Sequence, residues 1–207
     1  MNIRVITPPE PFVTPADIAG DHASNDQKIA AMISAAIEEI DGYTGWLGRC
    51  LAPQLLEYEG WFGTSYPCIR LPIGPVLELV SLVIEDASGT ETIIDPATYR
   101  LRRGDLLYSE GAAWVRQPVH RIRYWAGYGE RDDSDPTKWV AKVPERARQA
   151  VIMSVQHMKA LDAENLFLRS EEVEGVGTMS YTVSDQAGAI IRDTARRLLS
   201  GLKVRRV

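Results

Sequence analysis

Three histidines (His22, His120, His157), two cysteines (Cys50, Cys68) and a basic carboxy-terminal run are the residues of this 207-residue chain whose types could do chemistry. A histidine could move protons near neutral pH or, grouped with cysteines and carboxylates, hold a metal. The three lie in different segments without ligand spacing, and His157 sits beside Met158 on a helical pattern, so they are read as structural. Two cysteines are too few for a disulfide framework and are read as free thiols of a reducing compartment. Gly127-Tyr128-Gly129 and Gly175-Val176-Gly177 superficially suggest phosphate loops. Neither continues to a third glycine that opens a helix, so both are read as turns. Ser154 and Ser180 have no evident base, and the sequence holds no G-x-S-x-G, P-loop, H-E-x-x-H or paired C-x-x-C. No catalytic, cofactor-binding or metal-ligating residue is expected.

The basic run is the one pronounced asymmetry. Arg192, Arg196, Arg197, Lys203, Arg205 and Arg206 face a single acid, Asp193, whereas residues 162–174 carry five acids against Arg169. A frayed, solvated tail is one reading. The other is an amphipathic arm that docks on an acidic partner surface, with charges for steering and register. Apolar residues would supply its packing, so the candidate contact set is Arg192, Arg196, Arg197, Leu198, Leu202, Lys203, Val204, Arg205, Arg206 and Val207. Nucleic acid is a third possibility, disfavoured by a net charge of −5. The five tryptophans and eight tyrosines are read as core and subunit-interface packing, since Arg and Lys interleave with them only at Arg121–Trp125.

The elements that position these residues can be read from periodicity. A hydrophobic share of 45% with 25% charged is globular composition. No stretch approaches the roughly 18 apolar residues of a membrane span, and no signal peptide is read in Met1–Pro11. Thr7-Pro8-Pro9-Glu10-Pro11 is extended. Thr14, Pro15 and Asp17 cap a short helix over about 15–20. Ser24 with Gln27 reads as a capping box for a helix over about 24–47, its stripe formed by Ile29, Met32, Ile33, Ala36, Ile37, Ile40 and Tyr43. From about 54 to 128 the period changes to two, with strands at Leu55–Glu59, Cys68–Leu71, Val76–Glu85, Thr90–Ile94, Tyr99–Leu101, Leu106–Tyr108 and His120–Trp125. Val76–Glu85 is apolar on most of both faces and is expected to be covered on both sides. Residues 129–142 are read as an exposed loop. A third helix over 144–161 buries Ala147, Ala150, Val151, Val155 and Met158. An acidic linker over 161–175 follows, with Leu166-Phe167-Leu168 inside it, then a strand at Val176–Val183 and a helix from an Asp185 cap.

In this order the segments resemble the head–tail connector (adaptor) proteins of tailed phages and gene-transfer particles. The resemblance rests on the helix closing at Tyr43-Thr44-Gly45 with Arg49 and Gln54 beyond, on Leu71-Pro72-Ile73-Gly74-Pro75-Val76, and on the turn Glu85–Thr90. It continues through Asp95–Leu101, Arg123-Tyr124-Trp125-Ala126-Gly127-Tyr128-Gly129 and Val143-Pro144-Glu145. It covers most of residues 5–160. It implies an α+β chain: a helical bundle in a core over 1–160 with an inserted antiparallel β unit at about 54–128, then the linker 161–175 and a strand–helix arm over 176–207. It also implies a structural virion protein and not an enzyme. Such a subunit forms a homo-oligomeric ring, usually a dodecamer, beneath a portal protein, and an arm that orders only on its partner would keep it monomeric until then. The ring extends the channel for packaged DNA without binding it specifically and carries the next neck or tail protein. The expected location is the virion neck after synthesis in the bacterial cytoplasm, with no membrane and no cofactor. The basic arm would then be the portal-binding element, removable over 185–207 without unfolding the rest. The alternatives are a stopper or tail-completion protein of the same neck, or a nucleic-acid-binding module.

Overall fold

The structure is a computed structural model and describes residues 2–60, 68–102, 106–109, 119–163, 171–173, 177–179 and 185–204. Two units partition the chain, one from residues 1–10, 41–143 and 204–207, the other from 11–40 and 144–203. The chain therefore passes repeatedly between a β-rich unit and a helical one.

In order, the strands of the β-rich unit are β1 (Asn2–Thr7), β2 (Gln54–Gly60), β3 (Cys68–Arg70), β4 (Val76–Glu85), β5 (Glu91–Ile93), β6 (Tyr99–Arg102), β7 (Leu106–Ser109), β8 (Val119–Ala126), β9 (Gly129–Arg131) and β10 (Trp139–Ala141). Five form an antiparallel sheet in the order β1-β2-β8-β4-β5, and β3-β7-β6 make a second, smaller one. Register puts Leu56 opposite Tyr124, Tyr58 opposite Ile122, and Leu82 opposite Ile122 on the other flank. These residues share one face and bury with Ile69, Leu71, Ile73, Leu107 and Cys50 as one core. Cys50 is a free thiol there.

β4 departs from its expected double coverage. Only Leu82 is buried along it, and Val80 is 49% exposed. Register shifts between Val76 and Glu78 and between Leu79 and Ser81 insert extra residues against β8. A bulge breaks strict alternation, so apolar residues at neighbouring positions need not mean two covered faces. Residues 129–142 are also not an open loop, because β9 and β10 pair as a hairpin. The Asx turns that close it, Asp132 to Ser134 and Asp135 to Thr137, are the polar chemistry that made the segment look like a loop. β1 has no counterpart in the sequence reading, whose extended start is Thr7–Pro11, and its partner β2 lies some 50 residues away in sequence.

The helical unit holds a 3-10 turn (Pro15–Asp17), α1 (Gln27–Ile40), α2 (Glu145–Ala163) and α3 (Asp185–Ser200), with β11 (Glu171–Val173) paired to β12 (Gly177–Met179). α2 packs against both α1 and α3. Ile29, Ile33, Ala36 and Ile37 of α1 bury with Val151 and Val155 of α2 and with Val13 and Ile18. Thr14 stands at the N-cap, its N–H donating to the Asp17 carboxylate (2.8 Å), but one 3-10 turn follows in place of the helix expected to Gly20. The cap of α1 is Asp26, not Ser24: its Oδ1 accepts from Lys28 N (2.8 Å) and Ile29 N (3.1 Å). α1 stops at Ile40 instead of Leu47, because Asp41 turns its carboxylate on Leu51 and Gly42 adopts φ +77°. The stripe had run on to Tyr43, which is exposed. The segment read as an acidic linker carries the end of α2 and the strand β11. The described part of the expected strand over 176–183 is β12, and Leu166-Phe167-Leu168 lie outside the described residues.

Candidate interaction surfaces

Some of the motif residues that carry the connector resemblance, those at 42–54, 74–75 and 127–128, meet at one corner of the β-rich unit. Residues 41–54 form no regular element until β2 begins, yet most of them are buried. A buried loop must satisfy its backbone groups without water. Here Gly42 N–H donates to Arg49 O, Cys50 N–H to Gly74 O (3.1 Å), and Tyr128 N–H to Leu51 O (2.7 Å). Gly127 N–H donates to Pro75 O, and Lys142 N–H to Tyr128 O. Arg49 Nη1 donates to the Tyr128 hydroxyl at 2.6 Å. Gly127, at φ +133°, admits no side chain, since a Cβ there would lie 2.3 Å from Ala52 O. Gly42, Arg49, Cys50, Leu51, Gly74-Pro75 and Gly127-Tyr128 are thus one tied structure.

Asp41 is the polar centre of this corner. Its Oδ1 accepts Leu51 N–H at 2.7 Å, with Gln54 Nε2 at 3.5 Å. Burial pushes its carboxyl up to about 6, against the opposing pull of backbone N–H groups of Leu51, Gly42 and Ala52.

The sheet's other face is charged. Arg4, Glu57 and Arg123 lie side by side on β1, β2 and β8. The Glu57 side chain is 1% exposed and accepts from Arg4 Nε (2.7 Å) and Arg123 Nε (2.6 Å). Burial alone would raise its carboxyl, but the two guanidiniums hold it below the ordinary glutamate range. Further along, Trp125 and Trp139 pack 6.5 Å apart, with the Arg131 guanidinium 4.1 Å over Trp139 and ion-paired to Glu78. The 129–142 hairpin thereby places Trp139 beside β8, and these two tryptophans pack as expected of the aromatics.

The proposed carboxy-terminal contact set divides by burial. Arg192, Arg196 and Arg197 are exposed on α3, and Lys203 beyond it is exposed too. Leu202 is 2% exposed, Ala195 and Leu199 are buried with it, and Leu198 is half-buried. The stripe meant for a partner therefore packs within the chain, and removing residues 185–207 would strip a helix from its unit. Val204 N–H donates to Leu47 O, a tie absent from any periodicity. Arg205, Arg206 and Val207 lie outside the described residues. Ile190 is 65% exposed two turns before Arg197, and the Arg146 guanidinium of α2 lies beside Gly201 at the end of α3, where a cation meets the negative end of a helix.

The histidines are dispersed: His120 is buried in β8, His157 is half-buried on α2, and His22 bonds Pro15 O and Lys159 Nζ. Among the described residues no group of three or more His, Cys, Asp or Glu could hold a metal, and no helix is long and apolar enough to cross a membrane.

No family model matches the sequence, and no curated protein does. Solved structures do. A chain in the neck of an empty gene transfer agent particle, computed with C6 symmetry, aligns over 100% of this chain and 97% of its own at TM-score 0.64 and 18% identity. The chain has the fold of a gene-transfer-agent neck protein. Two further matches, the native particle's neck computed with C12 symmetry (TM-score 0.62) and the native virion (0.61), align over the same shares at the same identity. That likeness agrees with the connector resemblance carried by the motifs.

Proposed function

We propose that this chain is a head–tail connector (adaptor) subunit of a phage-like particle, a structural protein and not an enzyme. The observation that carries the reading is the end-to-end match to a neck chain, with 100% of one and 97% of the other aligned. Copies close into a twelve-fold ring beneath the portal, extend the DNA channel and present a platform to the next neck protein. The C6 and C12 symmetries of the matched necks support a ring. A head-to-tail ring needs two different complementary patches per subunit. The helical unit serves as the family's bundle. A net charge of −5 suits a lumen whose acids repel phosphate, so that DNA slides without specific binding. The subunit is made in the bacterial cytoplasm and stays monomeric until a portal is present.

The portal contact is the exposed surface of α3 that carries Arg192, Arg196 and Arg197, continued by Lys203, Val204 and residues 205–207. Its apolar stripe is occupied inside the subunit, so charge complementarity supplies most of the recognition. The test is negative-stain microscopy of the chain mixed with its particle's portal, beside the triple variant R192E/R196E/R197E. Coaxial rings on the portal for the wild type, and none for a variant of unchanged circular dichroism, are expected. A wild-type monomer that ignores the portal overturns the connector reading and moves the chain to a stopper or tail-completion role. Rings formed equally by the variant overturn the basic face as the contact.

A further inference from the structure

β1 is held to its sheet in an unusual way. It is an edge strand, paired only to β2, and all its residues except Ile3 are exposed. It therefore adds little to the core beneath Leu56 and Tyr124. Its slot is specific, however. Glu57 is 1% exposed and needs two cations, one from β8 (Arg123) and one from the edge (Arg4). Without a strand carrying arginine at that register, a buried carboxylate would lose one of its two charge partners and β2 would become an open edge.

The connection behind β1 is built to stay extended. Pro8, Pro9 and Pro11 fix φ and bias their predecessors away from helix and tight turn. The first fully buried residue after β1 is Val13. Fully extended, the Pro-rich segment from Thr7 to Val13 could reach about 20 Å, at about 3.1–3.3 Å per residue. A stiff hinge that disfavours folding back, joined to a weakly buried strand with a charge-coded slot, is the arrangement from which strands are exchanged between copies.

We propose that in the assembled ring β1 leaves its own β2 and fills the same slot on the neighbouring copy, with Arg4 of one subunit on Glu57 of the next. This rests on the ring reading above. Each subunit gives one strand and receives one, so the contact is head-to-tail and closes only when the ring closes. The isolated chain satisfies its own slot, as in this structure, and is protected from premature association.

The test uses the register pair Asn2 and Glu59. The full-length variant N2C/E59C is assembled under reducing conditions, oxidised, and run on a non-reducing gel, with each single-cysteine variant as control. Exchange predicts disulfide-linked ladders reaching the ring number in assembled samples, and single-chain bands for the monomer. Rings seen by microscopy whose disulfides stay within single chains overturn the exchange and leave the connector reading intact. Absence of rings under every condition, portal included, overturns both. If N2C/E59C disturbs folding, T7C/L55C reports the same pairing from the strand's other end.

Discussion

Asp41→Asn isolates the cost of a buried charge at the corner that ties the β-rich unit. The carboxyl of Asp41 titrates near 6 in the fold against 3.8 for an ordinary aspartate, because burial disfavours its ionised form. The difference of about two units, at about 1.4 kcal/mol each, amounts to about 3 kcal/mol. The folded state holds the proton more tightly, so the cost is absent below pH 4, grows as pH rises through the interval, and is complete above pH 6. Asparagine keeps an oxygen for Leu51 N–H, so that hydrogen bond contributes an offset independent of pH. Groups with the opposite slope, Glu57 and Asp17 among them, are common to both proteins and cancel in the difference. Urea unfolding of wild type and variant at pH 4 and pH 7.5 should therefore show the variant gaining on the wild type by up to about 3 kcal/mol between the two pH values. A difference that stays constant to within about 0.5 kcal/mol would falsify the assignment of a buried, ionised Asp41.

Two further substitutions test packing. Gly127→Ala forces a Cβ to within 2.3 Å of Ala52 O at a φ of +133°, and a loss of about 2 kcal/mol or more is expected, read as a lowered melting temperature. A variant as stable as the wild type would mean the Gly127–Ala52 approach is not needed. Leu199→Ala removes a side chain 3% exposed on α3 and should cost about 2–4 kcal/mol in urea unfolding. A cost under about 0.5 kcal/mol, the range of exposed positions, would return the carboxy terminus to the solvated-tail reading.

Local rules made much of this fold legible. The strands expected between Leu55 and Trp125 lie within a residue or two of where the period-two reading put them, although β4 breaks its alternation at two register shifts. Where a rule depended on a single side chain, its competitor won. Asp26 displaced Ser24 as the cap of α1, and Asp41 ended the helix by bonding forward to Leu51 instead of letting Tyr43 continue the stripe. Long-range ties left no local trace: β1 on β2, Val204 on Leu47 and the β9–β10 hairpin are set by partners distant in sequence or masked by turn-rich composition. For the candidate surface, charge was legible and burial was not. Arg192, Arg196 and Arg197 were found by counting, whereas nothing in the sequence distinguished Leu202, packed inside, from Ile190, left outside.

The motifs that point to the connector family and the surfaces that would do a connector's work are different residues. Arg49, Gly74, Pro75, Gly127 and Tyr128 are engaged in holding one corner of one chain together, through backbone hydrogen bonds and a glycine with no room for a side chain. Such residues specify a fold, and a fold by itself does not specify a partner. On the readings proposed above, partner recognition would reside where the chain leaves groups exposed: the arginines of α3 and the edge strand β1 with Arg4. The exposed arginines of α3 would, on the connector reading, be freer to differ between proteins than the corner, where Gly127 has no room for a side chain. A neck chain of 18% identity that aligns end to end shares this fold, and a fold common to both is compatible with different partners for each.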